Sequence, residues 1–447
     1  MTDFLFIYEH VNRDIENNVL VMNELEQRGY RCDLISFYGP DYVKWRLLCK
    51  KARVVVVPWL RFDEDLFRFA ALAKKPYIIV NEQCEQVSSK MSSNGLKVQS
   101  ELCKKAYFLC WGNQRKEDLI TDGVDPLNIS VTGAVQLDYG REEFKRYYLS
   151  KSQIAKKNHL DIKKRWIIFI SSFSTVSWTS NDVDNFCKGY GDFFREYQKI
   201  SLASYESILG WIEKFCSEND CEFIYRPHPS ETNTAKLREL DEKIDNFHII
   251  SEYSVKQWGK VCESVNLWIS TSNAELYSMG VNYNVIRPYK VPNEYDISTF
   301  IGEDYITSYE QFEECLLNDE YNKKLHDTFR NKVFKKYYSF NDNIPSYKRI
   351  ADSLEEIYNN CLKAFTFRLD KRQRKKYRKI LLKDILKSGI IFIDTIFPQI
   401  NVFSKLKLPD SSINLLRTRC NNYAGKNKAI LRMRRYISRY ILLYKKI

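Results

Sequence analysis

FIYRPHPSE, residues 223–231, sets the reading of this 447-residue chain. Phe223 to Tyr225, with Glu222 ahead of them, are β-type residues, and they run straight into Arg226-Pro227-His228-Pro229. Proline has no N–H to give a strand ladder and fixes its own φ, so two prolines stop the strand and stiffen the loop. A stiff loop at the carboxyl end of a strand is where open α/β sheets hold ligands. The chain has only five histidines, and one stands here beside an arginine. That pair can hold an anion, most simply a phosphate. For an isolated R-P-H-P the plainer reading is a stiff loop whose histidine caps a carbonyl, so the surrounding sequence has to decide.

Around this stretch the second half of the chain alternates strand and helix signals. RWIIFISSF reads as a strand, Ser204–Ser217 as a helix, CEFIYRP and FHIISE as strands, and Val255–Glu263 as a helix. NLWISTS and YNVIRPY follow as strands, with a helix opening at Ala274. About 40 residues after the histidine, LWISTSNAELYSMG (267–280) places Ser270, Thr271, Ser272 and Asn273 between a buried strand and a helix start. Small hydroxyl residues there cap free N–H groups, and that end of a helix attracts anions. One cap needs one such residue; four stand in a row. Glu275, in the first helical turn, reads equally as a partner for ribose hydroxyls and as a favourable acid at a helix start. Ser171, Ser172 and Ser174, in SSFSTVSW, read at least as well as a plain turn and are kept out of the core site.

The first 140 residues show the same alternation. DFLFIYE, RCDLISF, RVVVVPW, KPYIIVNE, AYFLCWG and NISVTGA read as strands, with the helical spacing of Ile15–Arg28 after the first. Near-continuous Val/Ile runs separated by helices indicate a parallel sheet covered on both faces. No Gly-rich dinucleotide fingerprint is present. The polar, Lys-rich residues 141–164 read as a linker, giving an α/β chain of two Rossmann-like domains, 1–140 and 165–364, with a basic tail at 365–447.

Composition narrows the class. An apolar fraction of 44% and an aromatic fraction of 14% fit a globular protein. The twelve cysteines are scattered singly, with no C-x-x-C, and suggest buried thiols in a reducing compartment. MTDFLFIYEH carries an acid at position 3 and no basic leader pattern, and no run reaches the roughly 18–20 apolar residues of a spanning helix. The expected location is therefore cytoplasmic. Residues 365–447 hold 22 Lys and Arg against 4 Asp and Glu, a net +18 in a chain of +13, so residues 1–364 carry −5. An acidic body argues against nucleic acid as the partner, despite a pI near 9.0.

These motifs carry a resemblance. R-P-H-P at one strand end and a Ser/Thr run at a later one resemble the His-Pro and Ser-Ser/Thr motifs of bacterial CMP-sugar transferases of the GT-B fold, sialyltransferases and Kdo transferases among them. Related His-Pro loops occur in polyol-phosphate transferases that use CDP-glycerol. WIIFISSFS, IYRPHPSE, WISTSNAE and VTGAVQLD resemble proteins described as surface carbohydrate biosynthesis enzymes, from the first strand to about Asn360. The resemblance implies a glycosyltransferase of capsule or lipopolysaccharide assembly, with a nucleotide-sugar donor as co-substrate, no cofactor and no metal. It implies a glycan or lipid-linked glycan as acceptor. It assigns the nucleotide phosphate to His228 with Arg226, and to Ser270, Thr271 and Ser272. It also implies a general base on a carboxylate after an N-terminal strand. In place of the family's acidic pair and Gly, this chain has Asn81-Glu82-Gln83. Glu82 leads narrowly, with Glu9, His10 and Asp14 as competitors. A partner that keeps the fold and phosphate loop but has lost the base is the rival reading, along with a CDP-polyol phosphotransferase.

The tail lies outside the resemblance. KRQRKKYRK (371–379) is a basic block, and AILRMRRYISRYILLYKKI reads as a helix with Ile430, Met433, Ile437, Tyr440, Ile441 and Tyr444 on one face. Arg432, Arg434, Arg435, Arg439, Lys445 and Lys446 occupy the other. A basic amphipathic helix of this kind suits an anionic membrane surface, the expected site being the inner face of the cell membrane. Docking of these helices on the body is the alternative.

Overall fold

The computed structural model describes residues 2–9, 11–37, 40–83, 85–228, 230–232, 234–318, 327–360, 366–367, 369–396, 434–435 and 442–443. The chain divides into two α/β units: residues 1–86, 94–138 and 335–447 form the first, residues 87–93 and 139–334 the second.

The first unit holds β1 (Thr2–Tyr8), β2 (Cys32–Ser36), β3 (Ala52–Val57), β4 (Ala73–Glu82), β5 (Tyr107–Cys110) and β6 (Ile129–Val131). All pair in parallel, in the order β2-β1-β3-β4-β5-β6. Phe4–Ile7, Val54–Val57 and Ile78–Val80 are buried along their whole length, as a sheet covered on both faces requires. The chain leaves β1 toward β2 and returns on the other side as β3. That reversal opens a crevice at the carboxyl ends of β1 and β3, where such sheets take ligands.

The second unit holds β7 (Arg165–Ile170), β8 (Cys221–Arg226), β9 (Phe247–Ile249), β10 (Ser264–Leu267) and β11 (Asn284–Val285). They too are parallel, in the order β11-β10-β7-β8-β9, so the reversal lies between β7 and β10. The helix Phe193–Glu218 lays Tyr205, Ile208, Leu209, Ile212 and Phe215 into the core against Phe169, Phe223 and Trp268. The expectation of two Rossmann-like α/β domains holds, and each strand read from the sequence is present. The strand expected over NLWISTS stops at Leu267, three residues before Ser270.

The boundaries differ from the sequence reading. Residues 141–164 are not a linker: the helix Lys151–Asn158, started by a Ser150/Gln153 capping box, is part of the second unit. Its cations meet that unit's acids, Lys151 with Glu263 at 2.7 Å and Lys157 with Glu252 at 2.8 Å. The expected 165–364 domain ends earlier, because the chain returns to the first unit from residue 335. There the helix Ser346–Asn360 buries Tyr347, Ile350, Ala351 and Leu354 and packs against the helix Val11–Gln27. Carboxylates fasten it. Asp138 accepts the Ser346 and Tyr347 N–H groups, both at 2.8 Å, and Glu355 pairs with Arg28 at 2.9 Å. Two glycines admit the returning chain. A Cβ on Gly112 would collide with the Tyr337 backbone, and Gly133, at φ +83°, lies against Ser346 and Arg349.

The basic block of the tail opens the helix Lys371–Ile396, which docks on the first unit. Asp384 pairs with Arg68 at 3.1 Å, the Arg46 guanidinium lies over the Tyr377 ring, and Phe367 stands 4.8 Å from Tyr77. This is the docked alternative, reached because Tyr377 and Asp384 fall on one helical face. The helix expected at 430–446 falls almost wholly outside the described residues. The four described there, Arg434–Arg435 and Leu442–Leu443, form an antiparallel pair rather than helix. Among the described residues no helix is long and apolar enough to cross a membrane.

Candidate functional site

Three loops of the second unit share the carboxyl edge of its sheet, those after β7, β8 and β10, and they hold every residue the sequence assigned to phosphate. After β8, Arg226 is half-buried. Its Nε donates to the Tyr253 carbonyl at 3.0 Å, and its terminal nitrogens have no protein partner among the described residues. Burial lowers its hold on the proton, and the nearby Glu275 carboxylate acts in the opposite direction. Glu275 is therefore close enough to feel Arg226. His228 is also half-buried, and its Nδ1 accepts the Ser230 N–H at 3.2 Å.

After β10, Trp268 and Ile269 carry the chain to Ser270. The Ser270 Oγ accepts the Ser272 N–H at 3.3 Å. The expected side-chain cap on the following helix is not there. Ser272 is the N-cap residue in αR geometry, without a cap bond, and the helix Asn273–Ser278 has only six residues. With so short a helix, an anion must be held chiefly by side chains. The Thr271 and Ser272 hydroxyls, half-buried and without side-chain partners among the described residues, are free to do so. Asn273 is fully buried and bonds Thr299 Oγ1 at 3.0 Å.

The serines after β7, left out of the site by the sequence reading, hold these loops together. Ser171 Oγ donates to Glu231 at 2.5 Å, and Ser172 Oγ accepts the Ile269 N–H at 3.2 Å. No local signal separates such serines from a turn, since their partners are 60 and 97 residues away.

The first unit's sheet edge has the opposite character. Glu82 ends β4, and its Oε2 is shut from solvent without a hydrogen-bond partner. Burial, with a smaller contribution from the Asp14 charge, pushes this carboxyl up to about 8. The competitors are occupied. Asp14, fully buried, accepts the Glu9 N–H at 2.9 Å and pairs with Arg13 at 3.0 Å. Glu9 pairs with the same Arg13 at 3.4 Å, and Arg13 reaches Glu85 at 3.3 Å. His10 lies outside the described residues. The flanking Asn81 and Gln83 are structural, Asn81 bonding the Val57 carbonyl at 3.2 Å and Gln83 accepting from Arg115 at 3.2 Å.

Two Asp-x-Asp pairs occur, and both are engaged in local structure. Asp65 accepts the Arg61 and Phe62 N–H groups and Asp63 accepts from Ser100, while Asp182 caps at Thr179 and Asp184 pairs with Arg195.

No family model and no curated protein matches this chain. Among solved structures, a protein described as a UDP-N-acetylglucosamine 2-epimerase, from Listeria monocytogenes, matches with a TM-score of 0.51 and 14% identity. The match covers 82% of this chain and 99% of that one. A variant of the wall teichoic acid polymerase TagF matches with a TM-score of 0.50 and 12% identity, over 81% of this chain and 90% of that one. At such identities the likeness establishes the fold: two parallel-sheet α/β domains of the GT-B kind.

Proposed function

We propose that this protein is a GT-B glycosyltransferase that moves a sugar from a CMP- or CDP-activated donor to a growing cell-surface glycan. The observation that carries this reading is the gathering of Arg226, His228, Thr271 and Ser272 on the two loops that follow β8 and β10, at one sheet edge beside a strand-order reversal. As the glycosidic bond breaks, negative charge builds on the leaving phosphate, and preplaced donors there lower the barrier. Arg226 supplies fixed charge, His228 a ring N–H, and the hydroxyls complete the grip. Glu275 is the partner for the ribose. Glu82 takes the acceptor hydroxyl's proton, since a carboxyl near 8 binds protons far more strongly than an ordinary one. The names of the fold neighbours, a UDP-sugar epimerase and a teichoic acid polymerase, support nucleotide-activated substrates of cell-surface polymers. They also keep a second reading, a CDP-polyol phosphotransferase using the same phosphate loop. Attachment to an anionic membrane surface through the basic C-terminal region belongs to the same proposal.

Thermal-shift measurement against CMP, CDP, UMP, UDP and GDP, with CDP-glycerol and a CMP-sugar beside them, tests it. A ligand present at 100 times its Kd and bound only by the native state adds about 2.7 kcal/mol of stability. CMP or CDP should give the largest rise; absence of a shift with every nucleotide overturns the proposal. A rise with CDP-glycerol but not with the CMP-sugar selects the second reading.

A further inference from the structure

Glu231 closes the stretch that opened the sequence reading, yet the phosphate grip gives it no task. Its side chain engages three partners. Its Oε2 accepts from Ser171 Oγ at 2.5 Å and from the His228 backbone N–H at 3.0 Å, and its Oε1 stands 2.7 Å from the Tyr225 hydroxyl. Its own N–H donates to the His228 carbonyl at 2.8 Å. One residue thus pins His228 at both its backbone N–H and its C=O, and ties the loop to the ends of both β7 and β8. The imidazole is oriented by the same loop: Nδ1 accepts from the Ser230 N–H, so the neutral ring carries its proton on Nε2.

We propose that Glu231 is the positioning residue of the anion site, holding His228 as an Nε2–H donor to a nucleotide phosphate. This rests on the phosphate role of His228 argued above. A proton count specifies the form in which it acts. Ser171 Oγ, Tyr225 Oη and the Glu231 carboxyl make three short contacts, the third being Tyr225 to Ser171 at 2.8 Å. Two hydroxyls bring two protons. All three contacts are hydrogen bonds only when the acid contributes its own: Glu231 Oε1–H donates to Tyr225, Tyr225 to Ser171, and Ser171 to Oε2. Burial favours the same neutral form, raising this carboxyl above its ordinary value. The titratable groups around it are Tyr225 on β8, Tyr205 on the helix Phe193–Glu218, itself bonded to Thr234 at 2.7 Å, and His228. No cation pairs with Glu231 among the described residues.

The test reads the His228 tautomer directly, by ¹⁵N NMR of nucleotide-free full-length protein, with the signal assigned by its loss in His228→Ala. CMP affinity is measured in parallel by calorimetry. Glu231→Gln reproduces the neutral acid's donor and acceptor, so it should keep the Nε2–H tautomer and CMP affinity within about threefold. Glu231→Ala should mix the tautomers and weaken CMP by about 10-fold or more, the usual consequence of leaving buried polar partners unmet. Should Glu231→Ala not fold, Tyr225→Phe, which removes one contact of the triangle and keeps the ring, must show the same direction of change. Unaltered tautomer and affinity in Glu231→Ala, or in Tyr225→Phe where that variant stands in, overturn the proposal. If wild type binds no nucleotide, the phosphate reading falls instead, while the tautomer still reports on Glu231.

Discussion

The two sheets of this protein are built by the same rules and end in opposite chemistry. Both are parallel, both reverse their strand order beside the first strand of the unit, and both place their chemistry-bearing loops at carboxyl strand ends. In the first unit that edge collects acids: Glu82, Asp14, Glu9 and Glu85, with Arg13 shared among three of them. In the second it collects donors: Arg226, His228 and a set of hydroxyls, with the Glu231 carboxyl held by Ser171, Tyr225 and His228. The fold therefore specifies where a site lies, and the residues placed there specify what it can bind. An edge rich in acids raises a carboxyl and makes a proton acceptor; an edge rich in donors makes an anion receptor.

The sharpest way to break this comparison is Glu82→Gln. If the first edge serves proton transfer alone, turnover should fall about 10²- to 10⁴-fold while CMP or CDP affinity stays unchanged. The pH dependence has a fixed sign. A base with a carboxyl at about 8 must lose its proton to act, so wild-type turnover should climb as pH rises through that value. Stability should run the other way. The folded-state pKa is raised, so stability is fully present below the ordinary carboxylate range and declines as pH rises through about 8. Glu82→Gln should remove that decline, as urea melts at pH 6 and pH 9 would show. Turnover near wild type in this variant would pass the role to Glu9 or Asp14.

A smaller effect, confined to the other edge, is expected from His228→Ala and from the double change Ser270→Ala/Thr271→Ala. Loss of a hydrogen bond to a charged group amounts to about 1.5–3 kcal/mol, or roughly 10- to 150-fold in nucleotide Kd. Calorimetry should show this with little change in melting temperature, because neither His228 nor Thr271 lies in the core. Equal CMP and CDP affinities in both variants and wild type would end the phosphate assignment.

How much of this was legible beforehand follows the range of the interactions. Buried Val/Ile runs such as Val54–Val57 announce a parallel sheet locally, and Pro227 marks the end of β8 wherever the rest of the chain goes. The long-range closures were not legible. Tyr347, Ile350 and Leu354 form an evident apolar stripe, but a stripe does not say which sheet it covers; Asp138 and Gly133, far upstream, decide that. The Lys-rich residues 141–164 look like a linker because the acids that Lys151 and Lys157 meet, Glu263 and Glu252, are about 100 residues away. Ser171 looked like a turn for the same reason. Glu82 was placed by its strand end alone; its raised carboxyl depends on burial that no local pattern displays.

The smallest effect on either edge is expected from removing the tail beyond residue 396. Of the 22 cations after residue 364, ten lie within 365–396 and twelve beyond. The docked helix Lys371–Ile396 faces the body with Tyr377 and Asp384, and leaves Lys375, Arg378, Lys379, Leu382, Lys383 and Leu386 exposed. Its outward side is thus basic and partly apolar, the composition that suits an anionic lipid surface. Each cation near such a surface contributes on the order of 1 kcal/mol, within a Debye length of roughly 8 Å. Cutting after Ile396 should therefore weaken co-sedimentation with anionic vesicles without abolishing it, and leave CMP affinity within about twofold of wild type. Cutting at residue 364 should remove vesicle binding altogether. It should also lower the stability of the first unit by about 2–4 kcal/mol, because the Phe367 ring contacts and the Asp384–Arg68 pair go with it. High salt should reduce binding of the full chain but spare a residue carried by exposed apolar groups such as Leu382 and Leu386. Equal recovery of all three proteins with anionic vesicles would sink the membrane reading and leave the helix as a brace for the acid-lined edge.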